Sequence, residues 1–229
     1  MKKAYFNWSS GKDASLALFR LKQEGDIEID RLVTTVNAHH NRVSMHGLRR
    51  ELLIQQAEAI GIPLDTIELP ENPSMDEYGE LMKKKVDALK AQGYADCSFG
   101  DIFLEDLREY REKQLEGIQC HFPLWKEDTR ELLQEFIELG FKAVIICASD
   151  QLLGQSYVGK EIDQEFLDHL PENVDPCGEN GEFHTFCYDG PIFSKPVTFS
   201  KGEKILRTYP DPEEKGKEVG FWFIDLLPG

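Results

Sequence analysis

The sequence predicts an α/β protein, a parallel sheet with helices on both faces, followed by a smaller α+β lobe. Strand-like segments alternate with amphipathic helical patterns over the first two thirds of the chain, the order that builds a parallel sheet. After about Ser149 the rhythm changes, and Gly and Pro become frequent, as in the turn-rich stretch 171–190. The 229 residues are 41% hydrophobic and 30% charged, enough to bury a core without disulfides or metals and too apolar for disorder. The expected division is residues 1–122 and 123–229.

The first strand is read at 4–8. Ala14, Ala17, Leu18 and Leu21 then recur at i, i+3, i+4 and i+7, one apolar face of a helix laid against a sheet. A strand at 31–37 follows. Leu53, Ala57 and Ile60 repeat the helical spacing, and Gly61 with Pro63 just beyond ends that helix and opens a strand at 64–69. A third helix is expected near 76–92, a strand at 95–99, a fourth helix near 104–116, a fifth near 128–139 before Gly140, and a strand at 141–148. The last thirty residues give a weaker strand around 204–208 and a strong one at 220–227, joined by the charged loop 210–220, read as a solvated hairpin connection.

Charge narrows the function classes. Lys and Arg number 26 against 42 Asp and Glu, a net charge of −16, which disfavours a nonspecific grip on nucleic acid or anionic lipid. The balance is uneven: residues 1–60 carry +2 and the remainder −18. Five cysteines, odd in number and with no Cys-x-x-Cys spacing, suit a reducing compartment. No apolar run approaches the ~20 residues of a membrane span, and the N-terminal segment reads as a strand rather than a signal peptide. A cytoplasmic protein without membrane or nucleic-acid partners is expected.

The segment Ser9-Ser10-Gly11-Lys12-Asp13 runs from an apolar strand into a helix. Small residues let backbone N–H groups approach an anion, the helix N-terminus adds partial positive charge, and Lys12 a full one. It is neither a Walker A loop nor Gly-x-Gly-x-x-Gly, and on these residues alone an ordinary turn with a Ser or Asp cap reads equally well. Its place after the first strand of a parallel sheet, where ligands gather, favours phosphate. Further on, Asp175-Pro176-Cys177-Gly178-Glu179-Asn180-Gly181-Glu182-Phe183-His184-Thr185-Phe186 places two glycines among acids, suited to holding Mg²⁺ or orienting an amine; a solvated turn is the plainer reading.

The first loop resembles the Ser-Gly-Gly-Lys-Asp-Ser loop of the PP-loop ATP pyrophosphatases, with Ser10 for the first Gly, Ala14 for the final Ser, and Ser15 restoring a hydroxyl one helical step later. The second resembles the Gly-Glu-Gly-Gly-Glu-[Phe/Tyr]-Glu-Thr motif of the diphthine-ammonia ligase family. Met45-His46, the run from Ala59 to Leu64, Gly100-Asp101, Pro123-Leu124-Trp125 and Gly140-Phe141-Lys142 follow in the family's order, so the resemblance covers essentially the whole chain. It departs at Asn180 and His184, the latter for a Glu, and in 153–159, which lacks acids of the archaeal version. The block 99–108 is similar to the bacterial branch, which has no diphthamide to make and for some members of which corrinoid salvage has been proposed.

The resemblance implies a Rossmann-like, HUP-type sheet domain that binds ATP and Mg²⁺, and a second lobe that positions a carboxylate for adenylation and amide formation. It places Ser9, Ser10, Gly11, Lys12, Asp13, Ser15 and Gly100 around the nucleotide, adenine on the backbone of Val36 and Asn37, and His46 on phosphate or ribose. Asp13, Asp101 and Glu182 would meet Mg²⁺, Lys12 would stabilise the leaving pyrophosphate, and Glu179 would orient ammonia or substrate. The partners implied are ATP and a carboxylate, either a small molecule or a modified histidine of an elongation factor, with a homodimer left open. Arg42, Arg49 and Arg50 in the +2 segment are expected near the ATP phosphates. A non-catalytic ATP- or AMP-binding module is the rival reading; tRNA thiolation or lysidine synthesis is disfavoured by the acidic surface.

Overall fold

In chain order the elements are β1 (Lys2–Asn7), α1 (Lys12–Glu24), β2 (Ile27–Asn37), β3 (Arg42–Val43), α2 (Arg50–Ile60), β4 (Leu64–Leu69), α3 (Met75–Ala91), β5 (Asp96–Ser98), α4 (Glu105–Gln114), β6 (Gln119–His121), α5 (Thr129–Glu138), β7 (Lys142–Ser149), α6 (Gln164–Asp168), β8 (Phe183–Asp189), β9 (Phe199–Pro210) and β10 (Glu218–Pro228). The computed structural model describes residues 2–44, 46–211, 214 and 216–229. Met45, half of the Met45-His46 match, and residues 212, 213 and 215 of the charged loop lie outside the described residues.

Local chemistry accounts for the helices. The apolar stripe of α1 buries Ala14, Ala17, Leu18 and Leu21, each large side chain contributing roughly 1.5–3 kcal/mol. Gly61 closes α2 at φ +78°, and its N–H returns to Ala57 O at 2.9 Å, the left-handed stop a glycine provides without strain. A capping box between Ser74 and Glu77 starts α3, and the Asp128 carboxylate accepts from the N–H groups of Arg130 and Glu131 to start α5.

The strands form two sheets. The first has the order β3-β2-β1-β5-β6, with β4 also paired to β2. All its pairings are parallel except the short β2·β3 ladder. The second is antiparallel, β8-β7-β10-β9. The strand expected at 141–148 therefore lies inside the second sheet rather than in the parallel one. Its run of six buried residues fits the interior of either kind of sheet, so its pattern does not reveal its neighbours.

A large core runs continuously from α1 and α2 to β7 and β8. At its centre Phe141 meets Phe19 edge-on at 5.9 Å and stacks on Phe136 at 4.9 Å. A second core, with Tyr5, Val33, Leu89, Tyr94 and Phe99, fills the opposite face of the parallel sheet beneath α3. No helix among the described residues is long and apolar enough to cross a membrane.

Because β1 has β2 on one side and β5 on the other, the chain's order reverses at β1. The crevice of an open parallel sheet opens there, between the loop after β1 and the loop after β5. The two loops nearly touch: a Cβ on Gly100 would lie 2.8 Å from Ala14 N, so only glycine permits the approach.

Candidate active site

The loop after β1 is held by its backbone. Trp8 N–H donates to Val33 O at 2.8 Å, and Thr34 Oγ1 donates to Trp8 O at 2.9 Å. Ser10 then adopts φ +69°, a left-handed conformation that costs a non-glycine residue roughly 1–2 kcal/mol. This is the position at which the resembled loop carries the first of its two glycines. The Ser10 hydroxyl is buried without a hydrogen-bond partner among the described residues, a further cost. Ser10→Gly is expected to raise stability by about 1 kcal/mol net of the glycine's greater unfolded-state entropy, read as a higher Tm; a lower Tm would contradict the strain.

Gly11 N–H donates to Ser9 Oγ at 3.3 Å. The Ser15 hydroxyl donates back to Gly11 O at 2.9 Å, so its proton serves its own helix. Lys12 is only 2% exposed. Its ammonium donates to both Asp13 carboxylate oxygens, at 2.8 and 2.9 Å, and to Cys177 O. Burial works against the charge, but Asp13 and the neighbouring groups outweigh it and hold the Lys12 pKa above its ordinary value. The cation is thus kept charged in a desolvated place.

The second motif closes directly on this loop. Lys12 N–H donates to Thr185 Oγ1 at 3.0 Å, and Cys187 N–H donates to Ser10 O at 3.0 Å. A Cβ on Gly11 would sit 3.3 Å from Thr185 Oγ1. Only residues 183–189 of this region form a strand, β8, and the acids lie in the turns before it. Glu179 Oε1 accepts from Ile102 N–H at 2.8 Å and Phe103 N–H at 3.4 Å, bridging to the loop after β5. Burial, and then the charges of Asp13 and Asp101, push the Glu179 carboxyl up to about 7 against the backbone donor of Ile102. Glu182 Oε1 accepts from Asp175 N–H at 3.0 Å and Asn180 Nδ2 at 3.1 Å, while its Oε2 is buried without a hydrogen-bond partner among the described residues.

Residues 1–120 match the family model described as the diphthamide synthase N-terminal domain, and residues 128–210 match the one described as the diphthamide synthase C-terminal domain. The chain belongs to the diphthamide synthase family. It is similar to proteins named diphthine–ammonia ligase: 26% identical over 200 residues to that of Homo sapiens and 27% over 200 residues to that of Bos taurus, in each case over 81% of this chain and 72% of the relative. A 94-residue stretch, 39% of this chain and 15% of the relative, is 30% identical to the Schizosaccharomyces pombe protein of the same name.

In this member of the diphthamide synthase family, His184 is stacked on His46 at 4.4 Å and 14°. Burial, and then the Lys12 charge, push the His184 pKa down to about 4. Burial likewise lowers His46 well below its ordinary value, helped by His184 and Lys12. A neutral imidazole pair therefore faces the loop. Asp101 is paired with Arg111 at 2.6 Å; burial raises its pKa against that arginine. Val36 is buried in β2, where it and Asn37 pair with β3 on one side and β4 on the other, and the Asn37 side chain donates to Glu71 O at 3.0 Å and accepts from His40 N–H at 3.0 Å. Asn37 borders a cleft of about 960 Å³ between the ends of β2 and β4 and the β9–β10 hairpin.

The three arginines expected near phosphate have other partners. Arg42 and Arg49 both bind Asp225, at 2.8 and 2.7 Å, and Arg50 binds Glu68 at 2.6 Å. His39 and His40 lie near Glu71 at 3.8 and 3.7 Å, and no group of three or more His, Cys, Asp or Glu side chains is poised to hold a metal by itself among the described residues. Burial raises the thiols of Cys177 and Cys187, the latter to about 12, so neither is an activated nucleophile. Gln56 is the residue at the site that sequence reasoning missed. Its signal was a polar side chain on the apolar face of α2, aligned with Leu52, Leu53 and Ile60.

Proposed function

We propose that this chain is an ATP-dependent ligase that adenylates a substrate carboxylate, releases pyrophosphate and transfers ammonia or an amine to the acyl carbon. The observation that carries the reading is the contact of the two motifs, more than 160 residues apart in sequence, around one buried, charged lysine. A carboxylate oxygen attacks the α phosphorus, and the bond from that phosphorus to the β-phosphate oxygen breaks. Lys12 and the N–H groups of Ser10 and Gly11 meet the charge that develops on the leaving pyrophosphate. Ammonia then attacks the acyl carbon, AMP leaves with the C–O electron pair, and Glu179 takes a proton from nitrogen. A carboxyl group held near 7 is poised for that exchange at neutral pH.

Mg²⁺ bound with the triphosphate supplies charge neutralisation. Asp13, Asp101 and Glu182 are the residues proposed to meet it, and the buried Glu182 Oε2, without a hydrogen-bond partner among the described residues, is an atom such an ion would satisfy. Among the described residues no group of side chains would hold the ion by itself, so it would come to the site with the triphosphate. Residues 1–122 form the nucleotide half and 123–229 the acceptor half. The acceptor is a diphthine-type side chain or, on a second reading, a small carboxylate as in corrinoid salvage; on either reading the neutral His184 keeps a negative charge away from the carboxylate that is to attack.

Pyrophosphate and AMP are measured with ATP, ammonia and a panel of carboxylates that includes a diphthine peptide. Equimolar AMP and pyrophosphate, dependent on one acceptor, is the expected result. Tight ATP binding with no AMP under any condition would overturn the ligase in favour of a regulatory nucleotide-binding module.

A further inference from the structure

We infer that Gln56 is the positioning residue that holds the phosphate loop in register with the second motif, so that nucleotide binding on one is transmitted to the other. The inference rests on residues 9–13 being the nucleotide loop. Gln56 is fully buried on α2, and its side chain reaches the loop after β1 at two points and β8 at a third. Oε1 accepts from the Trp8 indole N–H at 2.7 Å. Nε2 donates to Ser10 O at 3.0 Å and to Cys187 O at 2.6 Å.

The partners fix both the orientation and the identity of this side chain. An indole N–H only donates and a carbonyl only accepts, so a flipped amide would set oxygen against two carbonyls and N–H against N–H. Glutamate has the same shape but, ionised, no donor for the carbonyls; methionine fills the volume but strands the Trp8 indole N–H and Cys187 O, leaving Ser10 O with the Cys187 N–H alone. Of these only the amide satisfies the site. Ser10 O, which accepts from both Gln56 and Cys187 N–H, belongs to the residue forced to φ +69°. Strain of that kind persists only when surroundings over-determine it, and here one side chain anchors the strained loop to α2 and β8 together. Thr185, whose hydroxyl accepts from Lys12 N–H, lies two residues from Cys187 on that same strand.

The test uses α,β-methylene ATP, in which the bond to be broken is blocked. Its affinity is measured by calorimetry for the wild type, Gln56→Met and Gln56→Glu at a temperature well below each Tm, with folding checked by circular dichroism. Both variants are expected to bind at least about tenfold more weakly while folded, with Gln56→Glu the weaker. A side chain that only supports the fold would lower Tm and leave the affinity of folded protein unchanged, and that result would overturn the inference. If both variants unfold, the wild type decides: saturation with the analogue is expected to slow hydrogen exchange at the Cys187 amide, and unchanged exchange there overturns the coupling. Failure of the wild type to bind the analogue would remove the nucleotide reading and this inference with it, an outcome distinct from equal binding by all three proteins.

Discussion

Lys12→Met is expected to lower the rate of AMP formation at least about 100-fold, the scale seen when a preorganised charge or donor aimed at a developing oxyanion is removed. The size follows from where the ammonium sits. At 2% exposure it is shielded from the solvent screening that reduces surface charges to small contributions. Asp13 and Cys177 O hold it in place, so little reorganisation is needed as charge builds on pyrophosphate. Methionine matches the length of the stem and gives up only the ammonium, which lies 5.2 Å from the Phe183 ring, so most of the packing survives where alanine would leave a cavity. Asp13 loses its cation, and stability should fall modestly, in Tm, beside a collapse of nucleotide affinity. Unchanged ATP binding by a folded Lys12→Met protein would place the nucleotide elsewhere.

The elements whose cause is local were legible in the sequence. The apolar spacing of α1, the Gly61–Pro63 stop and the loop at Ser9–Asp13 are written within a dozen residues each, and the structure has α1, the end of α2 and a strand-to-helix turn where those signals stand. What failed depended on distant partners. Residues 141–148 are apolar throughout, and nothing in such a run says whether its neighbours run parallel or antiparallel. The strand β8 lies inside the stretch 171–190 read as turn-rich, masked by the glycines and prolines before it, and the three-residue β6 is too short to show a period. Net charge misled for the same reason. Counting placed Arg42 and Arg49 with the nucleotide, but both are neutralised by Asp225, from the −18 part of the chain, so the +2 of the first 60 residues is not free charge over the loop. The motifs named residues of the candidate site, while their contact, and the Gln56 amide between them, required the fold.

Glu179→Gln is expected to separate two pH dependences that this carboxyl imposes, one on stability and one on rate. The ordinary value is 4.5 and the folded value about 7, raised first by burial and then by Asp13 and Asp101. Between those values the folded protein binds more protons at this position than the unfolded chain. Stability from this group is therefore fully present below about 4.5 and is lost as pH rises through 7. At 1.36 kcal/mol per pKa unit, and after allowance for partial exposure, the loss is about 2 kcal/mol. Glutamine keeps an oxygen for the Ile102 and Phe103 N–H groups and cannot ionise. The ligand-free variant should thus gain on the wild type by about that amount between pH 5 and pH 8, measured by urea unfolding across the range. The rate should move the other way: if Glu179 takes the proton from ammonia, wild-type turnover rises with pH through the ionisation, and the glutamine variant loses both that limb and roughly 100-fold or more in kcat. The two readouts need not agree, and that makes the substitution decisive. A stability difference that follows pH with turnover unaffected would leave Glu179 as the carboxylate that joins the second motif to the loop after β5 and would move the proton transfer to another group.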